Sequence, residues 1–410
     1  MKQLIRTILH YCKLVVIRLI KFIMKFIPKQ KKLIIFSAWF GEKYQDNAMY
    51  MYEYMLENSS YEVWWYTRNK DIFNKLECEG KPVVYSKSLK GVWKQIRAKM
   101  LVSAVQFADF NNYFLKNCIF FDLGHGFPNK QIGYVQPDMN FRKKRYDELL
   151  RDGVELYMTA ASTITRDIQM DSFQLDMEHI VFCNKPRTDA LFDSELRKGK
   201  NQIVNKLKAG HKAIVYMPTH RSCGNVEIKI NEIFDLDAIQ EICEKYDAVF
   251  IIKKHYYHAS EKSNLDKYSR IFDITNEKNI DAQTLAYQTD VLVSDYSSAY
   301  IDFLLLDRPV ILYTYDLERY LKKERGLYLG INDNHVGFKP LTKAEFTQNL
   351  ETVCSDWIDE EHREGRIALR RHYFDDCITL GNAREYVMDV IDNMMKGTYT
   401  ACWNVEGGEK

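Results

Sequence analysis

Short apolar runs alternate with charged, helix-prone stretches along most of the chain, and this alternation limits the fold more than any other feature. The runs after Pro28 span residues 32–39, 62–67, 82–85, 100–105, 118–123, 156–160, 179–183, 212–217, 248–253, 270–274, 290–294 and 309–313. Their nearly continuous apolar character is typical of strands covered on both faces. Stretches such as 48–58 and 89–98 predict helices between them. The sequence therefore predicts an α/β protein built on parallel sheets.

A polar, lysine-rich segment, 194–210, interrupts the alternation and predicts a domain boundary. A chain of 410 residues also exceeds the usual size of a single hydrophobic core. We therefore expect two Rossmann-like domains, 31–195 and 205–395, with a cleft between them. Ligands of such sheets bind at the carboxyl ends of the strands, so the polar residues at those ends are the candidates for function.

The composition indicates a globular protein of a reducing compartment. Hydrophobic residues make up 46% of the chain and charged residues 28%, and the net charge of +2 argues against a nucleic-acid partner. The nine cysteines form no C-x-x-C pair, which favours reduced thiols over disulfides. The spacing of cysteine and histidine predicts no metal site. The sequence also has no G-x-S-x-G elbow and no Walker A loop.

Residues 1–32 form a basic, largely apolar segment without an acidic residue. Arg18 and Lys21 interrupt the apolar stretch, so it is too polar for a spanning helix and lacks the unbroken core of a signal peptide. We expect residues 1–30 to form an amphipathic helix that ends near Pro28 and lies on an anionic membrane surface. The alternative is a basic helix docked on the protein's own core.

The segment that follows the run 118–123 carries a candidate general base. Gly124 and Gly126 let the backbone turn sharply on either side of His125, which would then project into the cleft. Lys130, further along the same segment, suits a phosphate. The alternative is a turn histidine with a structural hydrogen bond.

Three more strand ends carry side chains suited to phosphate groups. They are Thr219 and Arg221 after 212–217, Lys253, Lys254 and His255 at the end of 248–253, and Ser297, Ser298 and Asp302 after 290–294. Guanidinium, ammonium and hydroxyl groups at such an edge favour binding of a pyrophosphate. A solvated loop, a surface lysine pair and a simple helix cap would account for the same three segments without a ligand.

These segments together resemble the CDP-glycerol glycerophosphotransferase family of teichoic-acid synthesis. The resemblance runs from about Phe36 to about Tyr328. It begins with a signature at 40–47 and closes with 313–318 and 325–328. The boxes between these are H-G-x-P-x-K at His125, Gly126, Pro128 and Lys130; P-R-x-D at Pro186, Arg187 and Asp189; P-T-x-R at Pro218, Thr219 and Arg221; R-x-H-Y at Lys253, His255 and Tyr256, with lysine for arginine; and D-Y-S-S at 295–298 with Asp302.

The resemblance implies a GT-B fold with an acceptor-side domain, 31–195, and a CDP-donor domain, 205–395. It implies His125 and His255 as the catalytic pair, and we take His125 as the general base. The residues expected to bind the CDP-alcohol are His125, Gly126, Phe127, Pro128, Asn129, Lys130, Arg187, Pro218, Thr219, Arg221, Lys253, Lys254, His255, Ser297, Ser298 and Asp302. No cofactor is implied, and a requirement for Mg²⁺ stays open.

The expected reaction moves glycerol phosphate from CDP-glycerol to a hydroxyl of a lipid-linked saccharide or polyol-phosphate acceptor, with release of CMP. It would take place at the cytoplasmic face of the cell membrane, where the protein is bound peripherally. Gly124, Phe127 and Asn184 depart from the family pattern near the first donor loop, so CDP-ribitol stays open as the donor. A GT-B glycosyltransferase that uses a nucleotide sugar and a non-catalytic membrane-bound scaffold are two competing interpretations. Oligomerisation is left open.

Overall fold

The computed structural model describes residue 15 and residues 17–136, 147–221, 226–255, 265–277, 280–324, 326–331, 333–401 and 403. Several sequence-based expectations concern residues outside these ranges, namely most of the segment 1–16 and the motif residues Tyr256 and Arg325. Within the described residues no helix is both long enough and apolar enough to cross a bilayer.

The first sheet has seven parallel strands in the order β3-β2-β1-β4-β5-β6-β7. The strands are β1 Gln30–Phe36, β2 Glu62–Thr67, β3 Val83–Tyr85, β4 Ala98–Ser103, β5 Cys118–Asp122, β6 Val154–Ala160 and β7 Ile180–Phe182. Every side chain of β5 is buried, as expected for a central strand with helices on both faces. The strand order reverses direction between β1 and β4.

The second sheet has five parallel strands in the order β10-β9-β8-β11-β12. These strands are β8 Lys212–Tyr216, β9 Ala248–Ile252, β10 Ile271–Asp273, β11 Val291–Ser294 and β12 Val310–Leu312. Here the order reverses between β8 and β11. Each apolar run in the sequence therefore corresponds to a strand, and the predicted α/β fold with parallel sheets is confirmed.

The α-helices cover the faces of both sheets. They span Asp46–Asn58, Lys70–Cys78, Leu89–Arg97, Thr163–Phe173, Ser194–Arg197, Gln202–Lys208, Ile230–Ile233, Leu236–Lys245, Ala282–Gln288, Ala299–Phe303, Leu317–Lys323, Lys343–Asp356, Arg363–Tyr373 and Ala383–Lys396. A helix also spans the described residues 17–23 and continues as the 3₁₀ turn Met24–Phe26, and another covers 147–151. Amphipathic helices of this kind are stabilised mainly by the face they bury.

The last helix, Ala383–Lys396, returns to the first sheet after the second sheet is complete. Its residues Val387, Ile391 and Met394 belong to the same buried cluster as Ile34 of β1. Asp189 fixes the start of this helix, because its carboxylate accepts the backbone N–H groups of residues 383 and 384, each at 2.9 Å. The sequence-based domain division at 195–205 did not anticipate this return. The division stays a proposal for the domain boundary.

Candidate active site

The two points at which strand order reverses face the same cleft. The segments after β1, β4 and β5 meet there with the segments after β8, β9 and β11. In open α/β sheets, ligands bind at such carboxyl-end switch points. The loop after β5 is joined to the second sheet's side of the cleft, because the backbone N–H of Gln131 donates to the carbonyl of Gly326 at 2.8 Å and that of Tyr328 donates to Asn129 at 3.1 Å.

His125 lies exposed at the turn after β5. Its Nδ1 is 3.0 Å from the carbonyl oxygen of Ala104, which follows β4. A carbonyl can only accept, so Nδ1 carries the proton and donates. This tautomer leaves the lone pair of Nε2 available, as a general base at neutral pH requires.

A row of aromatic rings connects the two predicted catalytic histidines. The Trp39 ring lies 5.2 Å from the His125 ring and 6.3 Å from the His255 ring, measured between centroids. The His220 ring is a further 4.9 Å from that of His255. Trp39 therefore lies beside both members of the predicted pair, and neither Trp39 nor His220 was among the predicted site residues.

The turn that carries Trp39 has an unusual backbone. Trp39, Phe40 and Gly41 have φ angles of 50°, 62° and 76°, in the left-handed region. For tryptophan and phenylalanine this conformation is costly and persists only where surrounding contacts impose it. Here the carboxylate of Asp109 accepts the backbone N–H of Phe40 at 2.6 Å. Burial raises the pKa of the Asp109 carboxyl to about 7.

Arg187 joins the loop after β5 to both sides of the cleft. Its Nη1 donates to Oδ1 of Asp46 at 2.8 Å and to the carbonyl of His125 at 2.6 Å, and its Nη2 donates to Oδ2 of Asp302 at 2.6 Å. Gln283 also donates to Asp302, at 3.0 Å. Burial opposes ionisation of Asp46, but the guanidinium, His125 and the backbone N–H of Asn47 together outweigh it and lower the pKa of Asp46. Arg187 therefore fixes the backbone of the predicted base.

Lys185 lies beneath the same loop and is almost fully buried. Its ammonium donates to the carbonyl of Leu123 at 2.9 Å and to the hydroxyl of Thr159. Burial lowers the pKa of Lys185 to about 8. A Cβ on Gly124, which has φ +69°, would come within 3.2 Å of this ammonium, so glycine suits the position on both counts.

The rest of the loop contacts the second sheet's segments. An added Cβ on Gly126 would lie 2.7 Å from the Ser298 hydroxyl, so these two predicted residues are adjacent. Asn129 donates to the carbonyl of Tyr296 at 2.9 Å. The Lys130 ammonium is 3.4 Å from the Thr219 hydroxyl. The structure thus brings the segment of His125 together with the predicted segments after β8 and β11.

Two apolar residues of the loop are buried. Phe127 is buried and its ring packs 4.7 Å from that of Phe374. Pro128 is buried as well. Contact of these side chains with a donor stays a prediction, as it does for Pro218 at the end of β8.

Arg221 is enclosed beneath the segment after β8, with 1% of its surface exposed. Its guanidinium pairs with Asp295 at 2.9 Å and with Asp316 at 2.8 Å, and it donates to the carbonyl of Thr219 at 2.6 Å. The backbone N–H of Thr219 donates in turn to Asp295 at 2.8 Å. The geometry suits support of the Thr219 turn. A direct phosphate contact by Arg221 stays a prediction.

The lysines after β9 are also held by the protein. Lys253 donates to the carbonyls of Ile274 and Thr275 at 3.3 and 3.2 Å, and burial lowers its pKa. Lys254 is buried, with its ammonium 3.9 Å from a carboxylate oxygen of Asp273. Direct phosphate contacts by these two lysines stay predictions.

The serines after β11 are less enclosed. Ser297 and Ser298 are half-buried, and the Ser298 hydroxyl lies beside Gly126. Neither residue is fully enclosed in the protein core. Binding of a phosphate by the two hydroxyls stays a prediction.

Lys43 adds a cation that the sequence analysis did not select. Its ammonium lies 5.2 Å from the centre of the Trp39 ring. Burial and the nearby Lys253 ammonium lower the pKa of Lys43 to about 8. The cleft is therefore lined by histidines, hydroxyls and ammonium groups, a set that can bind phosphate and accept a proton.

One cluster of the described residues has side chains that could share a metal ion: Asp176, Glu178 and His179. It directly precedes β7 and so lies at the amino-terminal edge of the first sheet. The cleft is at the opposite, carboxyl edge, so this cluster is separate from the predicted site.

Comparison with known proteins identifies the family. A sequence model of CDP-glycerol:poly(glycerophosphate) glycerophosphotransferases matches residues 19–393. The chain belongs to this family. The family and the transferase class expected from the sequence are thus confirmed.

Relatives of known function support the same assignment. The chain is 28% identical over 328 residues to a teichoic acid poly(glycerol phosphate) polymerase of Bacillus spizizenii, covering 75% of this chain and 79% of that one. It is 26% identical to a teichoic acid glycerol-phosphate transferase of Staphylococcus aureus, covering 73% and 78%. A poly(ribitol-phosphate) polymerase of Bacillus spizizenii is 28% identical over 54% of this chain and 35% of its own length.

Solved structures show the same fold. The wall teichoic acid polymerase TagF superimposes with a TM-score of 0.71 at 23% identity over 90% of both chains. The Staphylococcus aureus MnaA–UDP structure gives a TM-score of 0.53 at 13% identity, over 89% of this chain and 97% of that one. The GT-B fold predicted for this glycerophosphotransferase is therefore confirmed.

Proposed function

We propose that this glycerophosphotransferase transfers glycerol phosphate from CDP-glycerol to a hydroxyl of a lipid-linked or polyol-phosphate acceptor and releases CMP. The observation that supports the proposal most directly is the exposed His125, whose Nδ1–H donates to Ala104 and whose Nε2 thereby keeps its lone pair. The relatives of greatest coverage named above act on glycerol phosphate, and a TagF structure was obtained after a soak with CDPG.

The proposed step is a displacement at the phosphorus that bears the glycerol. The acceptor oxygen forms a bond to this phosphorus and gives its proton to Nε2 of His125. The bond from the phosphorus to the bridging oxygen breaks, and that oxygen leaves with CMP. Positioning and stabilisation of the phosphate charges then supply most of the rate enhancement.

Within this proposal the second sheet holds the donor. The Ser298 hydroxyl lies beside Gly126 in the loop of His125, Ser297 directly precedes it in the chain, and Lys130 adds a cation beside the Thr219 hydroxyl. His255 lies beside the same Trp39 ring as His125, and there an imidazolium would stabilise charge on the departing CMP phosphate. Arg187 and Arg221 act by fixing the two turns. The first sheet's side then receives the acceptor.

A donor comparison tests the reaction. The full chain is incubated with vesicles that carry a lipid-linked acceptor and with CDP-glycerol, CDP-ribitol, UDP-sugars or GDP-sugars in separate reactions. We expect CMP release and a product mass increased by glycerol phosphate. CMP release with CDP-ribitol alone would reassign the polyol, because related ribitol-phosphate polymerases share the family. Release of UDP or GDP alone, or no release with any donor, would contradict phosphate transfer.

We also propose that the protein acts while bound to the cytoplasmic leaflet of the membrane. The described part of the N-terminal helix exposes an apolar stripe formed by Val15, Leu19, Phe22, Ile23 and Phe26, each at least 50% exposed. Basic residues, among them Lys25, are exposed beside it. On its other side, Met24 is buried and Lys21 pairs with Asp152. A docked helix with an apolar stripe and flanking basic residues suits an anionic lipid surface.

A further inference from the structure

A buried carboxylate binds the two backbone segments that contact the proposed base. Asp109, in the 3₁₀ turn after β4, is fully buried. Its Oδ1 accepts the backbone N–H of Phe40 at 2.6 Å, and its Oδ2 accepts those of Ala104 and Val105 at 2.9 and 2.8 Å. No ion pair to Asp109 occurs within the described residues. Its interactions are therefore directed to the backbone of two separate segments.

Each of these segments contacts His125. Phe40 continues the left-handed turn that places the Trp39 ring 5.2 Å from the imidazole. Ala104 supplies the carbonyl that accepts the Nδ1 proton of His125 at 3.0 Å. One side chain thus fixes both the ring that flanks the imidazole and the acceptor that determines its tautomer.

We propose that Asp109 is a positioning residue for the transfer reaction, because it holds the Ala104 carbonyl and the Trp39 turn in the places that keep His125 in its Nδ1–H tautomer. The proposal depends on the proposed role of His125 as the base. The proton position of an imidazole is set by the hydrogen bond that one of its nitrogens makes. An imidazole that lost the Ala104 acceptor could carry its proton on Nε2. That nitrogen would then have no free lone pair with which to accept the acceptor's proton.

A purely structural role for Asp109 has a different consequence. Backbone turns held by a buried carboxylate would then stabilise the fold, and loss of the carboxylate would lower stability without changing turnover per folded molecule. The strained φ angles of Trp39 and Phe40 favour the positioning role. Costly backbone conformations that persist beside a reactive group are frequently part of its preorganisation.

The first test uses the unaltered full chain labelled with ¹⁵N-histidine. Nitrogen chemical shifts distinguish the two neutral tautomers, and the His125 signals are assigned by their loss in His125→Gln. We expect the Nδ1–H tautomer for His125 in the unaltered chain and a shift towards Nε2–H in Asp109→Asn. An Nε2–H tautomer in the unaltered chain would overturn the proposal even if Asp109→Asn does not fold.

The second test separates positioning from stability. Asp109→Asn replaces one carboxylate oxygen by an amide NH2 group, which cannot accept a hydrogen bond from the N–H groups that face it. The matched variant is Asp290→Asn, because Asp290 also accepts a backbone N–H, that of Ala213 at 2.8 Å, but lies at the amino-terminal edge of the second sheet. We expect kcat for CMP release to fall about 10²-fold in Asp109→Asn, with the KM for CDP-glycerol unchanged. Asp290→Asn should lower the melting temperature and keep kcat.

The outcomes distinguish this proposal from the proposed function. Retention of kcat in folded Asp109→Asn, or an unchanged His125 tautomer, would overturn the positioning role while leaving the transfer reaction intact. Absence of CMP release by the unaltered chain would instead overturn the reaction. The tautomer measurement needs no activity, so it still decides whether Asp109 controls His125.

Discussion

Arg187 and Asp302 come from segments that belong to different sheets, and Nη2 of the arginine lies 2.6 Å from Oδ2 of the aspartate in a site that solvent hardly reaches. Asp46 binds the same guanidinium at 2.8 Å. A cation held by two buried carboxylates cannot be removed without leaving their charges unpaired. The two sides of the cleft are therefore linked by a group that also bonds the backbone of His125.

Replacing Arg187 by alanine should destabilise the fold strongly. Breaking a buried ion pair by removing one partner costs about 3–5 kcal/mol, because the remaining charge stays desolvated. The matched variant is Arg363→Ala, which removes an exposed pair with Asp307 and should change the free energy of unfolding little. Urea unfolding followed by tryptophan fluorescence measures both. Equal losses in the two variants would show that the buried pair has no special weight.

His125→Gln should lower turnover by about 10²–10⁴-fold, the usual contribution of a general base. The control is His211→Gln, because His211 pairs with Asp247 at 2.6 Å at the start of β8, away from the cleft. CMP release per folded molecule is the measurement. Full turnover in His125→Gln with an intact fold would exclude it as the base, and His255→Gln would then be tested for the same loss.

Lys185 should make stability depend on pH in the alkaline range. Burial lowers its pKa to about 8 in the folded protein from an ordinary 10.5, so the unfolded chain binds more protons between these values. The contribution of Lys185 to the unfolding free energy therefore increases as the pH is raised from about 8 to 10.5. The slope is at most about 1.4 kcal/mol per pH unit, and the gain is lost when the pH is lowered to 8 again.

The test compares the unaltered chain with Lys185→Met across this range. The difference in unfolding free energy, unaltered chain minus variant, should increase as the pH is raised from about 8 to 10.5. Lys198→Met removes an exposed lysine and serves as the control for loss of a charge. A pH-independent difference for Lys185→Met would mean that the buried ammonium keeps its ordinary pKa.

Gly126→Ala should introduce a steric conflict between the loop of His125 and the segment after β11. The added Cβ would lie 2.7 Å from the Ser298 hydroxyl oxygen but 3.6 Å from its Cβ. We expect a loss of about 1–3 kcal/mol, typical of overpacking. The double variant Gly126→Ala/Ser298→Ala removes the conflicting atom and should recover the melting temperature. Failure to recover it would place the strain elsewhere in the loop.

Phe22→Asp/Phe26→Asp should weaken binding to vesicles. Both rings lie on the exposed apolar stripe of the N-terminal helix, and a charge there opposes insertion into the interface. The control is Leu341→Asp/Ile358→Asp, which alters two exposed apolar residues elsewhere on the surface. Flotation with anionic and zwitterionic vesicles measures the effect. Equal binding of both double variants would rule out this stripe as the membrane contact.

The sequence predicts the strands well because parallel core strands leave a strong local signal. The run 62–67 coincides with β2, Glu62–Thr67, and the run 118–123 contains β5 with one residue to spare. Because those strands end at a common edge, the positions of His125, His255 and Ser298 at the cleft also follow from the sequence. No local signal shows that the last helix, Ala383–Lys396, completes the first core, since its apolar face would fit either sheet.

The sequence was less informative about which polar residues are exposed. Arg221 and Lys254 have the chemistry of phosphate ligands at strand ends, but both are buried against carboxylates. The partners of Arg221, Asp295 and Asp316, belong to other boxes of the resemblance that are remote along the chain, and no local pattern shows that the three side chains meet. Asp109 carries no motif at all. Its position shortly after β4, beside the segment after β1, was the one available signal.

The return of the last helix to the first sheet also bears on how the chain is made. On the ribosome, the strands of the first sheet emerge long before the residues Val387, Ile391 and Met394 that cover them. Synthesis at about 5–20 residues per second leaves that apolar face uncovered while the whole second sheet is translated. The nascent protein therefore exposes this apolar surface during the interval, and a chain shortened before residue 383 would leave the first core uncovered and open to aggregation.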